Sequence, residues 1–300
     1  MPESLPAPER LLQRLEWTVI RRLDGLLQGD YRTLFQGQGL DLLDIRPYQV
    51  GDDVRYIDWN VTARLDEPYV RQYLEDREIS AWFLLDLSPS VDFGTARTLK
   101  RDQLIGFVGV VARLLTRHGN RVGAVLYGDR VELPIPPASG RTHVLRLLHD
   151  LGARRRLPSA PFTALGDLLT TAAMAIKRRS LVFLVSDFIS APGWERPLGM
   201  LARRHEVVAV RLVDPRETEL PDVGGIFMTD AETGEQLWVD THDVAFRGRF
   251  LEAGRRREQE LRAVFARVGV DVLELSTDDD LVGAILRFVA VRRRRRAVGH

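Results

Sequence analysis

The chain has 300 residues, 45% of them hydrophobic and 28% charged, with a formal net charge of +1. That is the composition of a globular protein with a sizeable core, and the near-neutral balance gives no global drive toward nucleic acid or a membrane surface. There is no cysteine, which excludes disulfides and thiolate metal sites.

The longest apolar stretch, residues 104–115, is too short to span a bilayer and contains Arg113. The first residues are charged early and have no apolar signal core. We therefore expect no membrane span and a cytoplasmic protein.

In chain order, residues 8–28 read as a helix docked on the body, with Leu12, Leu15, Val19, Leu23 and Leu26 at helical spacing. Residues 31–78 are polar, aromatic and rich in turn signals, and read as a β-rich extension. Within it Asp52 and Asp53 suit a turn. Arg46, Asp58, Trp59 and Arg64 are expected to form an internal ion-pair and packing unit.

From residue 79 the texture changes. "ISAWFLLD" is a continuous apolar run, as in a strand covered on both faces. Helices are predicted near 97–118, 141–151, 164–178, 194–204, 243–268 and 279–291. Between them lie strands at 121–128, 180–187, 206–214 and 270–275, a hairpin or edge strand over "DRVELPIPP", and a hairpin over 224–240 with Glu232-Thr233-Gly234 near its turn. The "STDDD" segment at 276–280 reads as a capped helix start. The alternation predicts an α/β fold with a doubly wound, mostly parallel sheet. The domains are then 1–78 (N-terminal helix and β-rich extension), 79–291 (sheet domain) and 292–300 (a basic, disordered tail containing Arg292 to Arg296).

In such sheets ligands bind at the carboxyl ends of the strands. Asp86, Asp187 and Asp214 each close a predicted strand. After Asp86 the sequence "DLSPS" places Ser88 and Ser90 on the same loop, so one carboxylate and two hydroxyls come together. Oxygen ligands of this kind suit a hard cation such as Mg²⁺ or Mn²⁺. Thr163, which opens a later helix, and Asp187 are candidates to complete the set. Taken alone, Asp86 is equally accounted for as a turn former or helix cap, and Thr163 as a helix cap.

Asp86-x-Ser88-x-Ser90, followed by Thr163 and Asp187, resembles the metal-ion-dependent adhesion site of von Willebrand factor A domains. Phe162 stands where that pattern has glycine. The block "RPYQVGDDVRYIDWNVTAR" (46–64) with "VRQYLEDRE" before the metal strand resembles a bacterial family catalogued as domain of unknown function 58. The resemblance implies a von Willebrand A-like, Rossmann-like fold and a divalent cation (Mg²⁺ or Mn²⁺) on Asp86, Ser88, Ser90, Thr163 and Asp187. It implies a protein partner that offers a carboxylate to the metal. It further implies an adaptor or co-chaperone role with a MoxR-type AAA+ ATPase and its client.

No G-x-S-x-G elbow, phosphate loop or nucleophile–base constellation accompanies the serines, so a non-enzyme is expected. An aspartyl-phosphate mechanism wants an acid/base where Ser88 stands. The alternatives are a metal-dependent hydrolase, with the cation as Lewis acid, and nucleic-acid binding through the arginine tail. The preferred reading of that tail is a solvated helix end, with no nucleic acid bound.

Overall fold

The computed structural model of the protein describes residues 8–16, 20, 23, 44–49, 57, 59–65, 67–72, 80–157, 160 and 162–298. The chain divides into two compact units, one of residues 1–34 with 79–300 and a smaller one of residues 35–78. The N-terminal helix therefore belongs to the large unit and not to the β-rich extension.

In the large unit, α1 (Pro8–Leu15) buries Leu12 and Leu15, with Ile20 and Leu23 beyond it also buried. Glu16 pairs with Arg113 at 2.6 Å, so this segment is docked on the body as its amphipathic pattern predicts. Val19 and Leu26 lie outside the described residues.

The smaller unit contains β1 (Asp44–Pro47), α2 (Trp59–Leu65) and β2 (Tyr69–Gln72). β1 and β2 pair antiparallel, Arg46 opposite Val70, and the Tyr69 N–H donates to Thr62 Oγ1 at 3.1 Å. Trp59, expected to pack internally, is 71% exposed, and Arg64 is exposed as well. Asp52, Asp53 and Asp58 lie outside the described residues.

The rest of the large unit runs β3 (Ser80–Asp86), α3 (Lys100–Arg117), β4 (Arg121–Tyr127), β5 (Ile135–Ala138), α4 (Arg141–Ala153), α5 (Leu165–Ala175), β6 (Leu181–Ser186), α6 (Glu195–Arg204), β7 (Glu206–Val213), β8 (Gly225–Thr229), β9 (Gln236–Asp240), α7 (Val244–Val268), β10 (Asp271–Ser276) and α8 (Leu281–Val298). Six strands form one sheet in the order β10-β7-β6-β3-β4-β5. All its pairings are parallel except β4 with β5, so the proline-bearing edge strand closes the sheet where a missing N–H is tolerated.

β3 is central, and Ala81 to Asp86 are all buried. Trp82 and Leu84 share a core with Leu165, Leu169 and Leu198, under α5 and α6, and with Phe265 of α7. Phe83 faces the opposite layer, stacked on Phe183 at 5.4 Å and edge-on to Phe107 of α3 at 6.5 Å. A strand packed on both faces has no polar side, and this explains the continuous apolar run. α7 is capped by Asp243, which accepts from the Ala245 and Phe246 N–H groups, and stops at Gly269, whose φ of 70° is the left-handed conformation.

From β3 the chain moves outward to β4; from β6 it moves the opposite way to β7. The strand order thus reverses between β3 and β6, and the carboxyl ends of these two strands flank the crevice where α/β sheets bind ligands.

The C-terminal segment differs from its sequence reading. α8 continues through the arginine run to Val298. Arg292 is buried, paired with Glu206 and, through Nε at 3.0 Å, with Asp271. Arg295 reaches Asp271 at 3.3 Å. Acidic partners on neighbouring strands order a stretch whose composition alone looks solvated.

Candidate functional site

Asp86 ends β3 with a fully buried carboxylate. Its Oδ1 accepts from the Ser88 N–H at 3.0 Å, and its Oδ2 accepts from Ser186 Oγ at 2.6 Å. The first bond turns the chain back immediately after the strand. Pro89 then opens a short 3-10 turn over Pro89–Asp92, which brings Ser90 Oγ to 3.1 Å from Ser88 Oγ. Arg101 supports this turn from behind, reaching Asp92 at 3.3 Å and the carbonyls of Leu151 and Arg154 at 3.3 and 3.0 Å.

Asp187 follows β6 directly. Its Oδ1 accepts from the Ile189 N–H at 3.0 Å, and the next residue, Phe188, has a φ of 60°. A bulky residue in that region is strained. The conformation is held by the Phe188 N–H donating to Ser186 Oγ at 2.9 Å and by ring packing against Trp194 and Phe265. Such strain recurs at functional sites.

Thr163 precedes α5 and does not cap it; Ala164 is the capping position. The Ala164 N–H donates to Tyr127 Oη at 2.9 Å. The Thr163 carbonyl accepts from Ser190 Oγ and the Ala191 N–H, both at 2.8 Å. With its backbone clamped on both sides, the Thr163 hydroxyl donates to Glu232 Oε1 at 3.2 Å. Phe162, in the place of the expected glycine, is 71% exposed.

Two residues of the site are not evident from the sequence motif. Glu232 comes from the turn between β8 and β9 and is the common neighbour of Thr163, Ser90 and Asp187. Its Oε2 is buried and lacks a partner at strict hydrogen-bond geometry among the described residues, although the Ser90 hydroxyl and N–H lie close enough to stabilise the Glu232 charge. Lys100, the first residue of α3, is buried with Nζ 2.7 Å from Asp187 Oδ2 and 2.5 Å from Glu217 Oε1. A hairpin acid and a first-turn lysine have no spacing relation to "DLSPS"; the lone signal is a lysine at the start of a helix that is otherwise largely apolar. Asp214, the third strand-end acid, does not join the cluster. It accepts from Thr95 N, Thr95 Oγ1 and Thr277 Oγ1 at 2.7, 2.6 and 2.6 Å, tying two neighbouring loops together.

The electrostatics reflect crowded carboxylates. Burial, and then the nearby Asp187 carboxylate, push the Asp86 carboxyl up to about 7, against hydrogen bonds from Ser186 and Ser88. Burial also raises Glu232, and Asp187 adds to it, while Ser90 and Thr163 pull the other way. Burial opposes the Lys100 ammonium, but Asp187 and Glu217 more than offset it and hold the amine protonated.

A family model described as "Protein of unknown function DUF58" matches residues 44–260. The chain belongs to the DUF58 family. The uncharacterized proteins Rv1480 of Mycobacterium tuberculosis and Mb1516 of Mycobacterium bovis are each 39% identical over 296 residues, covering 96% of this chain and 91% of their own. Among solved structures, the conserved hypothetical protein BatB from Bacteroides thetaiotaomicron is similar at 11% identity and a TM-score of 0.44, covering 72% of this chain and 99% of that one. An aerotolerance-related membrane protein from Bacteroides fragilis is similar at 12% identity and a TM-score of 0.45, with the same coverage.

In this DUF58 chain the six-stranded sheet is doubly wound and mostly parallel, as the alternation of strands and helices predicts. No helix among the described residues is long and apolar enough to cross a membrane. All five sequence-expected residues lie at the β3–β6 crevice, and none is open to solvent: Asp86 is 0%, Ser88 1%, Ser90 3%, Thr163 1% and Asp187 4% exposed. Among the described residues no group of three His, Cys, Asp or Glu side chains is arranged to hold a metal. A cation here would rest on hydroxyls together with carboxylates. The donor set fits such an ion in kind. Every donor is oxygen, and the buried Glu232 carboxylate brings a further oxygen ligand against them.

Proposed function

We propose that this protein is an interaction module whose site takes a divalent cation, Mg²⁺ or Mn²⁺, on Asp86, Ser88, Ser90, Thr163 and Asp187. The observation that carries this reading is the Ser88–Ser90 hydroxyl pair, 3.1 Å apart at the sheet's switch point, beside the buried Glu232 carboxylate. Hard cations prefer such oxygen donors. When bound, the ion would supply a positive centre to which a carboxylate of a partner protein can attach.

The residues of the chain have separable roles in this reading. Ser186 and the Ser88 N–H fix the orientation of the Asp86 carboxylate. Lys100 and the Ile189 N–H fix that of Asp187. The clamped backbone of Thr163 aims its hydroxyl. Neutral hydroxyls make up more than half of the five ligands, so much of the cation's charge is left for a partner. The partner implied by the family resemblance is a MoxR-type AAA+ ATPase, for which this protein would be an adaptor or co-chaperone.

Titration calorimetry with Mn²⁺ on wild type and Asp86→Ala tests the site, and pull-down of a co-expressed MoxR-type ATPase with both proteins tests the partner. The reading expects both signals to fall in the variant; equal binding in the two proteins refutes it.

A second reading is a metal-dependent hydrolase, and one observation favours it. Glu232 stands 3.2 Å from the Thr163 hydroxyl, in place to act as the base that the sequence motif lacks. Manganese-dependent turnover of generic phosphate or peptide substrates, abolished in Glu232→Gln, would establish it.

A further inference from the structure

The hairpin β8–β9 reaches the site with more than one contact. Its turn is organised by Asp230, whose Oδ1 accepts from the Glu232 and Thr233 N–H groups at 2.9 and 2.8 Å. Asp230 N and O close the turn on Glu235 O and Gly234 N at 2.8 and 2.9 Å. The Glu232 carbonyl accepts from the Ala160 N–H at 3.1 Å, which moors the turn to the segment leading into Thr163. The Glu232 side chain, only 5% exposed, then meets Thr163 Oγ1 through Oε1 and has Ser90 beside it.

A carboxylate in that position raises two problems. It is desolvated, and it lies near Asp187, another carboxylate, so the two repel unless positive charge sits between them. Lys100 supplies one positive charge, but its ammonium contacts Asp187 and Glu217. The backbone moorings show that the turn is built to deliver this side chain rather than to leave it at the surface. A solvent-facing glutamate would be the default for a hairpin turn.

We propose that Glu232 is the resident carboxylate of the site: it completes the cation's oxygen shell from within the chain and occupies the place that a partner's carboxylate would take. The inference rests on the cation reading above and deepens it. The 230–235 turn brings Glu232 against Thr163, Ser90 and Asp187 and so helps to bury them. A partner carboxylate must therefore displace Glu232, and the site is self-ligated until then.

The test uses the full chain, Mn²⁺ and acetate. Mn²⁺ affinity and the water-proton relaxation of the bound ion are measured in wild type, Glu232→Ala and Glu232→Gln, with far-UV circular dichroism to confirm that each variant is folded. Glu232→Ala is expected to bind Mn²⁺ at least about tenfold more weakly, because an anionic ligand is lost. Its bound ion is expected to relax water more strongly, because a coordination position has opened. Acetate should reverse that gain in Glu232→Ala and leave wild type unchanged. Glu232→Gln, which keeps the shape and loses the charge, should weaken binding without the full relaxation gain. Mn²⁺ bound by wild type and Glu232→Ala with equal affinity and equal relaxation overturns the role of Glu232 and leaves the cation site standing. No Mn²⁺ binding by wild type removes the cation site, and the inference with it.

Discussion

Lys100 and Asp187 form a buried ion pair, Nζ to Oδ2 at 2.7 Å, with side chains 0% and 1% exposed. The pair joins the start of α3 to the end of β6, and through Glu217 it also reaches the turn that follows β7. It lies against the candidate cation site and orients one of its carboxylates.

Removing the cation of such a pair leaves its partners charged and desolvated. Lys100→Met, which keeps the side chain's bulk and removes its charge, is therefore expected to destabilise the fold by about 3–5 kcal/mol. Urea unfolding followed by tryptophan fluorescence measures this. A change below about 1 kcal/mol, the range of exposed pairs, would mean that water already reaches the carboxylates.

Asp214 predicts an acid-labile component of stability. Burial alone would raise its carboxyl, but hydrogen bonds from Thr277 and Thr95, and from the Thr95 and Arg216 N–H groups, outweigh it and hold the group below its ordinary 3.8. The unfolded chain then takes up this proton first. The contribution is whole above about 3.8 and is lost as pH falls through the lower folded value. Asp214→Asn should be less stable than wild type at neutral pH, and the gap should narrow as pH is lowered toward 3. A gap independent of pH would refute the assignment.

His205 acts at a higher pH. It is 4% exposed, and neither ring nitrogen has a hydrogen bond among the described residues. Burial, then Arg204 and Arg179, hold its pKa below the ordinary 6.5. The folded protein keeps this ring neutral while the unfolded chain protonates it, so stability is full above about 6.5 and declines below it. In His205→Phe the urea midpoint between pH 7 and 5 should fall less than in wild type. Parallel declines would show that other groups set the slope.

Gly123 marks the close approach of the edge strand. A Cβ there would lie 2.9 Å from the Ile135 carbonyl oxygen and 3.1 Å from the Pro137 nitrogen, both backbone atoms that cannot rotate away. Gly123→Ala is expected to lose about 1–3 kcal/mol, the usual range for overpacking, with β5 losing amide protection first in hydrogen exchange. Unchanged protection at the Ile135 and Ala138 amides, the two the strand possesses, would contradict this.

The elements legible from the sequence are those whose determinants are local. The apolar run before Asp86 and the helical stripe of α3 each depend on neighbours within a few residues. Asp86, Ser88 and Ser90 share one loop, so their meeting is a matter of chain geometry. Thr163 and Asp187 were reachable because the alternation of strands and helices implies where strand ends gather. The arginine run misled because composition does not reveal that Arg292 finds Glu206, 86 positions earlier, across the fold.

By itself, then, the sequence determined the alternating elements, the central buried strand and the residue types at the crevice, because periodicity and loop chemistry act at short range. Only the tertiary structure decided that Lys100 is spent on Asp187 and that Glu232 turns inward onto Thr163. These contacts join residues 87 and 69 positions apart. Their partners are chosen by strand order, by the mooring of a hairpin turn and by the cost of leaving buried charge unmet, none of which is written in the spacing of a motif.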